Sequence, residues 1–475
     1  MRLLTARLLL GLALGTALIL TGCDRRVEGR TSDKRITIQY WEKWTGFEDD
    51  AMQAVVDDFN RSQDRIFVKK LTVSQIDRKL MLAAAGGDPP DVAGLWSHTL
   101  PDFSEKGALT PLDKLAQQSG VKREDYIPVI WDLCRHRGFL WGLPTTPASV
   151  ALHWNKQMFR EAGLDPDRPP RSLDELDAMN DRLTVVDIER AGKTERVRFL
   201  SLTDAERQAK KFRLVQVGHL PQEPGWWMQM WGYWFGGDLW DGDRQITANS
   251  PENIAAFAWL RQHAEKFGVD NLRSFGASFG NFASPQSPYL SGKVAMVLQG
   301  VWMYNFIDKF APHLEWAAAP FPAKDPERFP QVTIVESDVL VIPKGARHPR
   351  EAFEFIRYVN TQKPMEKLCL GHRKFTALAE VSPEFIKSHP NPFITTFIEL
   401  AKSPHARYVP RLSIWQEYKD EVAVAVDRVQ ALMSSPAAAL DQVQQRMQWK
   451  FDRVLRRWDT VGNERVKEWS DYDAR

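Results

Sequence analysis

The feature that most constrains the fold of this 475-residue chain is an alternation of short apolar strands and amphipathic helices near its amino end. Residues 36–41, 66–73 and 90–95 are rich in β-branched and apolar side chains and predict strands. Residues 49–59 and 76–85, which lie between them, carry apolar side chains at helical spacing. This order predicts an α/β fold with a parallel sheet and helices on its faces.

The ends of these predicted strands carry aromatic and polar residues. Trp41 and Trp44 follow the first strand, and Trp96, Ser97 and His98 follow the third. Ligands of parallel α/β sheets bind outside the carboxyl ends of the strands. The pattern therefore predicts one wall of a ligand cleft here, with His98 interpreted as a turn residue.

The first residues have the pattern of an export signal. Arg2 and Arg7 precede or begin an apolar run over residues 8–20. That run is shorter than the roughly 20 residues that a membrane-spanning helix requires. A short apolar run that ends in small residues predicts a signal peptide over residues 1–22.

The segment Leu20-Thr21-Gly22-Cys23 resembles a bacterial lipobox. The resemblance implies cleavage before Cys23 and lipidation of its thiol, which would anchor the protein to a membrane. Residues 24–34 are charged and nearly devoid of apolar side chains, so we expect residues 23–34 to be an acylated tether. Asp24 resembles an inner-membrane retention signal, and we expect the periplasmic face of the inner membrane rather than the outer one.

The charge balance bears on the partners. The sequence has 63 basic and 61 acidic residues, and Arg2 and Arg7 would be lost with the leader. A balanced surface argues against nucleic acid as a partner. Cys134 and Cys369 are compatible with either one disulfide or two buried thiols, because spacing alone does not decide.

Tryptophan is unusually frequent, with 18 residues. Many of these tryptophans stand beside Gly, Pro, Ser or Asn, as Trp44, Trp96, Trp226 and Trp302 do. Turn residues at the ends of strands and helices are where clefts are lined. The pattern indicates aromatic side chains that contact a ligand, although most of the remaining tryptophans are expected to be core residues.

Motifs in the same order along almost the whole predicted mature chain resemble the family 1 extracellular solute-binding proteins, a family that includes the maltose-binding protein. These proteins are the sugar-binding subunits of ABC importers. The patterns that carry the resemblance are residues 41–46, 59–60, 83–92, 106–112, 138–144, 151–156, 236–238, 250–260, 291–296, 300–302, 341–345, 352–355 and 434–446. The chain departs from the family at Ser337-Asp338, where two glycines are common, and at residues 371–375.

The resemblance implies a two-lobed periplasmic-binding-protein-like fold of type II, with a mostly parallel sheet flanked by helices in each lobe and crossing segments as the hinge. We expect a solute-binding domain over residues 35–475. Lobe one is predicted over about 35–147 and 317–358. Lobe two is predicted over about 148–316 and 359–475.

A sugar has apolar C–H faces and a rim of hydroxyl groups, which suit rigid aromatic rings and a few polar groups. Each candidate has an alternative as a core or surface-paired residue. Trp231, Trp234, Trp240 and Trp259 are interpreted as packing residues. The ligand-binding candidates are Trp41, Trp44, Trp96 and Ser97 from lobe one; Trp226, Trp227, Trp302 and Trp415 from lobe two; and Ser337, Asp338, His372 and Arg373 near the hinge.

A hydrolase is the first alternative, because residues 276–280 match the G-x-S-x-G pattern. That motif requires a helix after the serine, and Pro285 and Pro288 disfavour one. There is no H-E-x-x-H, C-x-x-C or P-loop motif, so we expect no catalysis, no metal and no cofactor.

The expected function is a lipid-anchored substrate-binding subunit of an ABC importer. It would be a monomer that captures a carbohydrate by lobe closure and delivers it to the permease transmembrane subunits. A lipoprotein that senses a ligand for a membrane kinase or chemoreceptor stays open as an alternative. So does a polyol or phosphorylated polyol as the ligand.

Overall fold

The computed structural model describes residues 35–473. The predicted signal peptide, the predicted lipidation site Cys23 and the predicted tether lie outside these residues. Within the described part of the chain, no helix combines the length and apolar character needed to cross a membrane.

The strands are short and are distributed along the whole described chain. They are β1 (Ile36–Glu42), β2 (Ile66–Thr72), β3 (Val92–Trp96), β4 (Arg135–His136), β5 (Phe139–Leu140), β6 (Leu143–Pro144), β7 (Ala148–Asn155), β8 (Val185–Arg190), β9 (Lys193–Arg198), β10 (Phe212–His219), β11 (Val294–Gly300), β12 (Trp316–Ala319), β13 (Thr333–Glu336), β14 (Asp338–Val341) and β15 (Ala406–Arg407).

The helices alternate with these strands and dominate the carboxyl-terminal part. They are α1 (Phe47–Ser62), α2 (Ile76–Ala85), α3 (Leu100–Glu105), α4 (Asp113–Gln118), α5 (Pro128–Leu133), α6 (Lys156–Glu161), α7 (Leu173–Leu183), α8 (Asp204–Ala209), α9 (Pro251–Phe267), α10 (Val269–Gly276), α11 (Met303–Phe310), α12 (Pro349–Val359), α13 (Gln362–His372), α14 (Pro383–Ser388), α15 (Ile394–Lys402), α16 (Trp415–Gln430) and α17 (Pro436–Asp471). Single 3₁₀ segments cover Ser97–Thr99, Arg123–Asp125, Phe199–Ser201 and Met228–Phe235.

The first lobe is built on a five-stranded sheet in the order β2-β1-β3-β14-β6. β1 runs parallel to β2 and β3, which confirms the arrangement predicted from the alternating pattern. Helix α1 buries Met52, Val55, Val56 and Phe59 in the first-lobe core. Full burial of an apolar side chain of this size contributes about 1.5–3 kcal/mol, so this helical face is a main contributor to the lobe's stability.

The second lobe is built on a sheet in the order β15-β13-β7-β11-β10-β8-β9, with β12 also paired to β7. β10 and β11 are parallel, but β7 is antiparallel to β11, β12 and β13. The two-lobed α/β architecture is therefore as predicted, whereas both sheets are mixed rather than mostly parallel. In the first sheet β14, which enters from the second lobe, is antiparallel to β3 and β6. In the second sheet β7, which enters from the first lobe, runs against its neighbours, and β8 is antiparallel to β9 and β10.

Two short segments carry the chain between the sheets. Residues 145–147 connect β6 to β7, and Ser337 alone connects β13 to β14. The chain returns to the first sheet at Asp338 rather than at the predicted 317, because β12 and β13 first extend the second sheet beside β7.

The tail also differs from the predicted boundary at 359. Helix α13 packs on α1 of the first lobe, where His372 Nε2 lies 3.0 Å from the carbonyl oxygen of Glu48. The long helix α17 begins with a Ser435 cap, whose hydroxyl accepts a hydrogen bond from the amide of Ala438. The first half of α17 packs in the second-lobe core. Near its end, the ring centroid of Trp469 lies 4.8 Å from that of Trp141 in the first lobe.

Both described cysteines, Cys134 and Cys369, are buried free thiols. Each thiol contacts a different backbone carbonyl, of Ile130 and of Thr145 respectively. Of the two possibilities left open by the sequence, the structure has the pair of buried thiols.

Candidate functional site

A cavity of about 720 Å³ lies between the lobes, beside the crossing segments. In the first lobe, the cavity lies at the carboxyl ends of β1 and β3. In the second lobe, residues that come after the carboxyl ends of the parallel strands β10 and β11 line it. This is where parallel sheets place ligands. Seven aromatic side chains line it: Trp44, Phe47, Trp96, Trp226, Phe282, Trp302 and Phe306.

The first-lobe wall consists of Trp44 and Trp96. Their ring centroids are 6.4 Å apart and the planes are nearly perpendicular, at 84°. Trp96 is the last residue of β3, and Trp44 lies two residues after the end of β1, which restricts the positions of both rings. Together they present a rigid apolar surface toward the cavity.

The second-lobe wall centres on Trp226 and Trp302, whose centroids are 5.9 Å apart, with Phe282 4.4 Å from Trp226. The ring of Trp302 lies directly on Gly300. A Cβ at Gly300 would come within 2.4 Å of that ring, so only glycine permits this position. The sequence Gly300-Val301-Trp302 therefore directs an indole into the cavity.

Two buried polar atoms on this wall have no hydrogen-bond partner among the described residues. They are the indole N–H of Trp302 and the side-chain carbonyl oxygen of Asn305. Asn305 itself is buried. Because buried polar groups are normally paired, a donor and an acceptor beside an aromatic surface are available to a polar ligand.

The floor of the cavity contains buried charges. Lys43 Nζ lies 3.0 Å from Asp338 Oδ1 and 3.3 Å from Glu42 Oε1. Burial alone would lower the pKa of Lys43, but Asp338 and Glu42 outweigh that effect and the pKa lies above its ordinary value. The ammonium group is also 4.7 Å from the Trp44 ring centroid, a cation–π distance.

A second lysine completes this network. Lys374 Nζ is 3.4 Å from Asp338 Oδ2, 3.8 Å from Glu48 Oε1 and 4.8 Å from the ring centroid of Trp44. Thr146 donates a 2.6 Å hydrogen bond to Asp338 Oδ2. Burial alone would raise the pKa of Asp338, but Lys43 and Lys374 outweigh it and the pKa lies below its ordinary value.

The structure brings half of the predicted ligand-binding residues to the cavity. These residues are Trp44, Trp96, Trp226, Trp302, Ser337 and Asp338.

Four other candidates are structural in this fold and do not line the cavity. Trp41 is half-buried against the first-lobe core. The amide of Ser97 donates a 3.0 Å hydrogen bond to the carbonyl of Ser337, which ties β3 to the crossing segment. Trp227 is buried in the second-lobe core. Trp415 begins helix α16 and packs beside Tyr418 in the same core.

His372 and Arg373 lie beside the cavity rather than on its lining. His372 is fully buried and packs edge-on against Trp44 at 6.0 Å. Arg373 Nη1 lies 2.7 Å from Asp308 Oδ2, which joins the end of α13 in the first lobe to α11 in the second. The two side chains therefore support the site or bridge the lobes.

Several cavity residues were not predicted: Glu48, Thr146, Phe282, Asn305, Phe306 and Lys374. Lys374 lies within residues 371–375, where the sequence departs from the family pattern. That departure was the one sequence signal that could have indicated a cavity residue here. Phe282 lies close to the G-x-S-x-G match, which does not form a nucleophile elbow. Ser278 follows helix α10 instead of preceding a helix, and its hydroxyl donates to the carbonyl of Phe275 at 2.6 Å.

Two lobes with short crossing segments and a cavity between them define a two-lobed α/β solute-binding protein. Residues 48–366 match the model of the family described as bacterial extracellular solute-binding protein, and the chain belongs to this family.

Individual relatives are distant. The maltotriose-binding protein of Pyrococcus abyssi is 22% identical over 321 residues, which are 66% of this chain and 61% of the relative, so less than two thirds of that relative is matched. A structure of CpMnBP1 with mannotriose bound has a TM-score of 0.71 at 24% identity and covers 86% of this chain and 99% of its own. The sugar-binding protein MalE of Xanthomonas citri has a TM-score of 0.69 at 19% identity, with 89% and 99% coverage. These structures share the fold.

Proposed function

We propose that this protein is the lipid-anchored substrate-binding subunit of an ABC importer that captures a mono- or oligosaccharide. The observation that carries the proposal is the aromatic cavity between the lobes. Lobe closure would bring Trp44 and Trp96 toward Trp226 and Trp302 around the ligand, and the loaded protein would then deliver it to the permease.

Carbohydrate is favoured because the cavity joins flat apolar surfaces with separated polar groups. The rings would cover the C–H faces of a sugar, while Asp338, Lys374, Asn305 and the indole N–H of Trp302 would bond its hydroxyl groups. The names of two relatives support the same class, since one is a maltotriose-binding protein and the other has mannotriose bound. Two others are named for sn-glycerol 3-phosphate and glycerophosphocholine, so the charges of the cavity have to distinguish the two classes.

The cavity charges argue against a phosphorylated polyol. Lys43 and Lys374 are each within 4 Å of carboxylates. With Lys419, which also lines the cavity, they make three lysines against the four carboxylates of Glu42, Glu48, Glu336 and Asp338. A phosphate group is best held by cations that are not already neutralised. A neutral, hydroxyl-rich ligand suits this floor better.

The lipobox-like segment that ends at Cys23 supports two parts of the proposal, the lipid anchor and the location at a membrane. An acylated tether over residues 23–34 would leave a monomer free to close beside a permease at the periplasmic face of the inner membrane. Globomycin sensitivity of processing and loss of labelled palmitate in Cys23→Ser would support this; unchanged palmitate labelling would contradict it.

The ligand class is tested by thermal unfolding of the mature chain carrying Cys23→Ser against a panel of sugars, polyols and glycerol phosphates. A ligand at 100 times its dissociation constant adds about 2.7 kcal/mol to the free energy of unfolding. Trp302→Ala should abolish the shift, whereas Trp449→Ala, which alters an indole that is 58% exposed, should not. A shift with glycerol phosphate alone, or turnover of a labelled oligosaccharide, would contradict the proposal.

Transport and sensing are separated by growth and signalling. Deletion of the gene should abolish uptake of the identified sugar when it is supplied at low concentration. Normal uptake together with loss of a sugar-dependent transcriptional or chemotactic response would favour the sensor instead.

A further inference from the structure

A second cavity, of about 550 Å³, also lies between the lobes. It shares no lining residue with the aromatic cavity. The β4–β5 hairpin and helix α5 contribute from the first lobe. The loops around residues 240–243 and 411–413, together with α17, contribute from the second.

Arginines dominate this second cavity. Four line it, Arg123, Arg135, Arg137 and Arg411, against the three carboxylates of Glu105, Asp132 and Asp243. The cavity therefore has an excess of positive charge, unlike the floor of the aromatic cavity.

The carboxylate of Glu105 is already engaged. Arg137 donates to Glu105 Oε1 through Nε at 3.2 Å and Nη2 at 3.0 Å, and His136 Nε2 is 3.0 Å from the same atom. Burial by itself would raise the pKa of Glu105, but these partners lower it to about 2. Glu105 is thus ionised and neutralises Arg137, not the other arginines.

Two of the other guanidinium groups form long ion pairs with carboxylates. Arg123 is 3.7 Å from Asp132, and Arg135 is 3.8 Å from Asp113 outside the cavity. Both distances exceed those of a good charge-assisted hydrogen bond. Asp243 is exposed at the rim.

Arg411 is the central observation. Its Nη1 donates to the backbone carbonyl oxygens of Asp132, at 2.8 Å, and Arg135, at 3.2 Å. Among residues 35–473, no carboxylate lies within 4 Å of it. Its guanidinium carbon lies 5.2 Å from the ring centroid of Tyr408, and its Nε and Nη2 donate to no oxygen of the described residues. These two nitrogens are not among the enclosed unpaired polar atoms of the described residues, so they are accessible from the cavity, where water or an anion completes their hydrogen bonding.

We propose that the second cavity binds a small oxyanion, a carboxylate or a phosphate, through the guanidinium group of Arg411 with Arg123 and Arg135 beside it. The fork of Arg411 has donors available for a two-point contact with such an anion. Since Arg411 is anchored in the second lobe while Arg123 and Arg135 belong to the first, the anion would contact both lobes. The site is independent of the proposed carbohydrate function.

The experiment is calorimetric titration of the mature chain carrying Cys23→Ser with inorganic phosphate and, separately, with citrate at low ionic strength. Sodium chloride of matched ionic strength is the reference. One saturable site for phosphate or citrate is expected. Whichever of the two binds identifies the oxyanion as a phosphate or a carboxylate. No saturable binding of either probe, or equal heats with sodium chloride, would overturn the proposal.

Variants localise the site. Arg411→Gln should weaken binding at least tenfold, the scale of one lost charge-assisted hydrogen bond. Arg160→Gln is the matched control, because Arg160 pairs with Glu315 within the second lobe, outside the cavity. Equal affinity in Arg411→Gln, or an equal loss in Arg160→Gln, would overturn the assignment.

Folding is controlled with a second cavity variant. Arg411 also bonds two carbonyls across the lobes, so Arg123→Gln, whose side chain is 58% exposed and makes no such bond, is measured in parallel. Its melting temperature in sodium chloride should equal that of the wild type while its affinity for the oxyanion falls. Unchanged affinity in a folded Arg123→Gln protein would count against the proposed position of the anion.

Discussion

The ammonium nitrogen of Lys43 lies 3.0 Å from a carboxylate oxygen of Asp338, and both side chains are nearly fully buried beneath Trp44 and Trp96. The pair joins the end of β1 to the first residue of β14, where the chain has just crossed from the second lobe. A buried ion pair at this point connects the aromatic cavity with a crossing segment.

We predict that Asp338→Asn strongly destabilises the protein. The substitution keeps the shape of the side chain but leaves Lys43 and Lys374 buried with less compensating charge, and breaking a buried pair in this way costs about 3–5 kcal/mol. Urea unfolding of Asp338→Asn beside Asp308→Asn, whose carboxylate is 46% exposed, measures the difference. A loss below about 1 kcal/mol, the scale of an exposed pair, would contradict the prediction.

Gly300→Ala should displace Trp302 from the aromatic cavity. A Cβ there would lie 2.4 Å from the indole ring, and overpacking of this kind costs about 1–3 kcal/mol. Binding of the identified sugar should weaken as well, which calorimetry would detect. Gly276→Ala is the matched control, since its added Cβ meets no atom within 4 Å. Equal stability and affinity in the two variants would show that Gly300 is not required.

The ion pair between Arg373 and Asp308 should contribute to ligand affinity because it joins the lobes. Its side chains are 33% and 46% exposed, so a coupling of only about 0.2–1 kcal/mol is expected. A double-mutant cycle with alanine, read out as the dissociation constant of the identified sugar, measures the coupling. It should disappear in 1 M salt, where the Debye length is about 3 Å.

The control for that cycle is the pair Arg160–Glu315, which lies within the second lobe. Its removal should leave the dissociation constant unchanged. Equal coupling in both cycles, or coupling that persists in high salt, would exclude an electrostatic contribution of Arg373 to closure.

A buried histidine should make the protein less stable in acid. Burial lowers the pKa of His153 to about 4, from an ordinary value of 6.5. Between pH 6.5 and 4 the unfolded chain therefore binds a proton that the folded protein excludes, so stability falls as the pH falls. One such group contributes a slope of about 1.4 kcal/mol per pH unit in that window.

His153→Gln should reduce the slope of the free energy of unfolding between pH 6.5 and 4 by that amount. His313→Gln, at an exposed position, serves as the control. Both are measured by denaturant titration at each pH. Parallel profiles of wild type and His153→Gln would show that His153 is protonated in the folded protein.

Local patterns were sufficient for three of the five strands of the first sheet and for part of the cavity. The period of apolar residues predicted β1, α1, β2, α2 and β3, because each depends on side chains near one another in sequence. Trp44, Trp96 and Trp302 were found because indoles beside turn residues at the ends of strands are rarely core residues. Where the neighbouring residues are helical, as at Trp415, the same reasoning failed and the indole is core.

The sequence by itself determined the alternation of strands and helices near the amino end, the position of Trp44 and Trp96 at the cavity and the family to which the chain belongs. Only the tertiary structure decided that β12 and β13 extend the second sheet, that α17 packs against both lobes, and that Lys374 meets Asp338. The physical reason is that these contacts join residues far apart in the chain. Their partners are selected by burial and by charge compensation in the folded molecule, which no local pattern records.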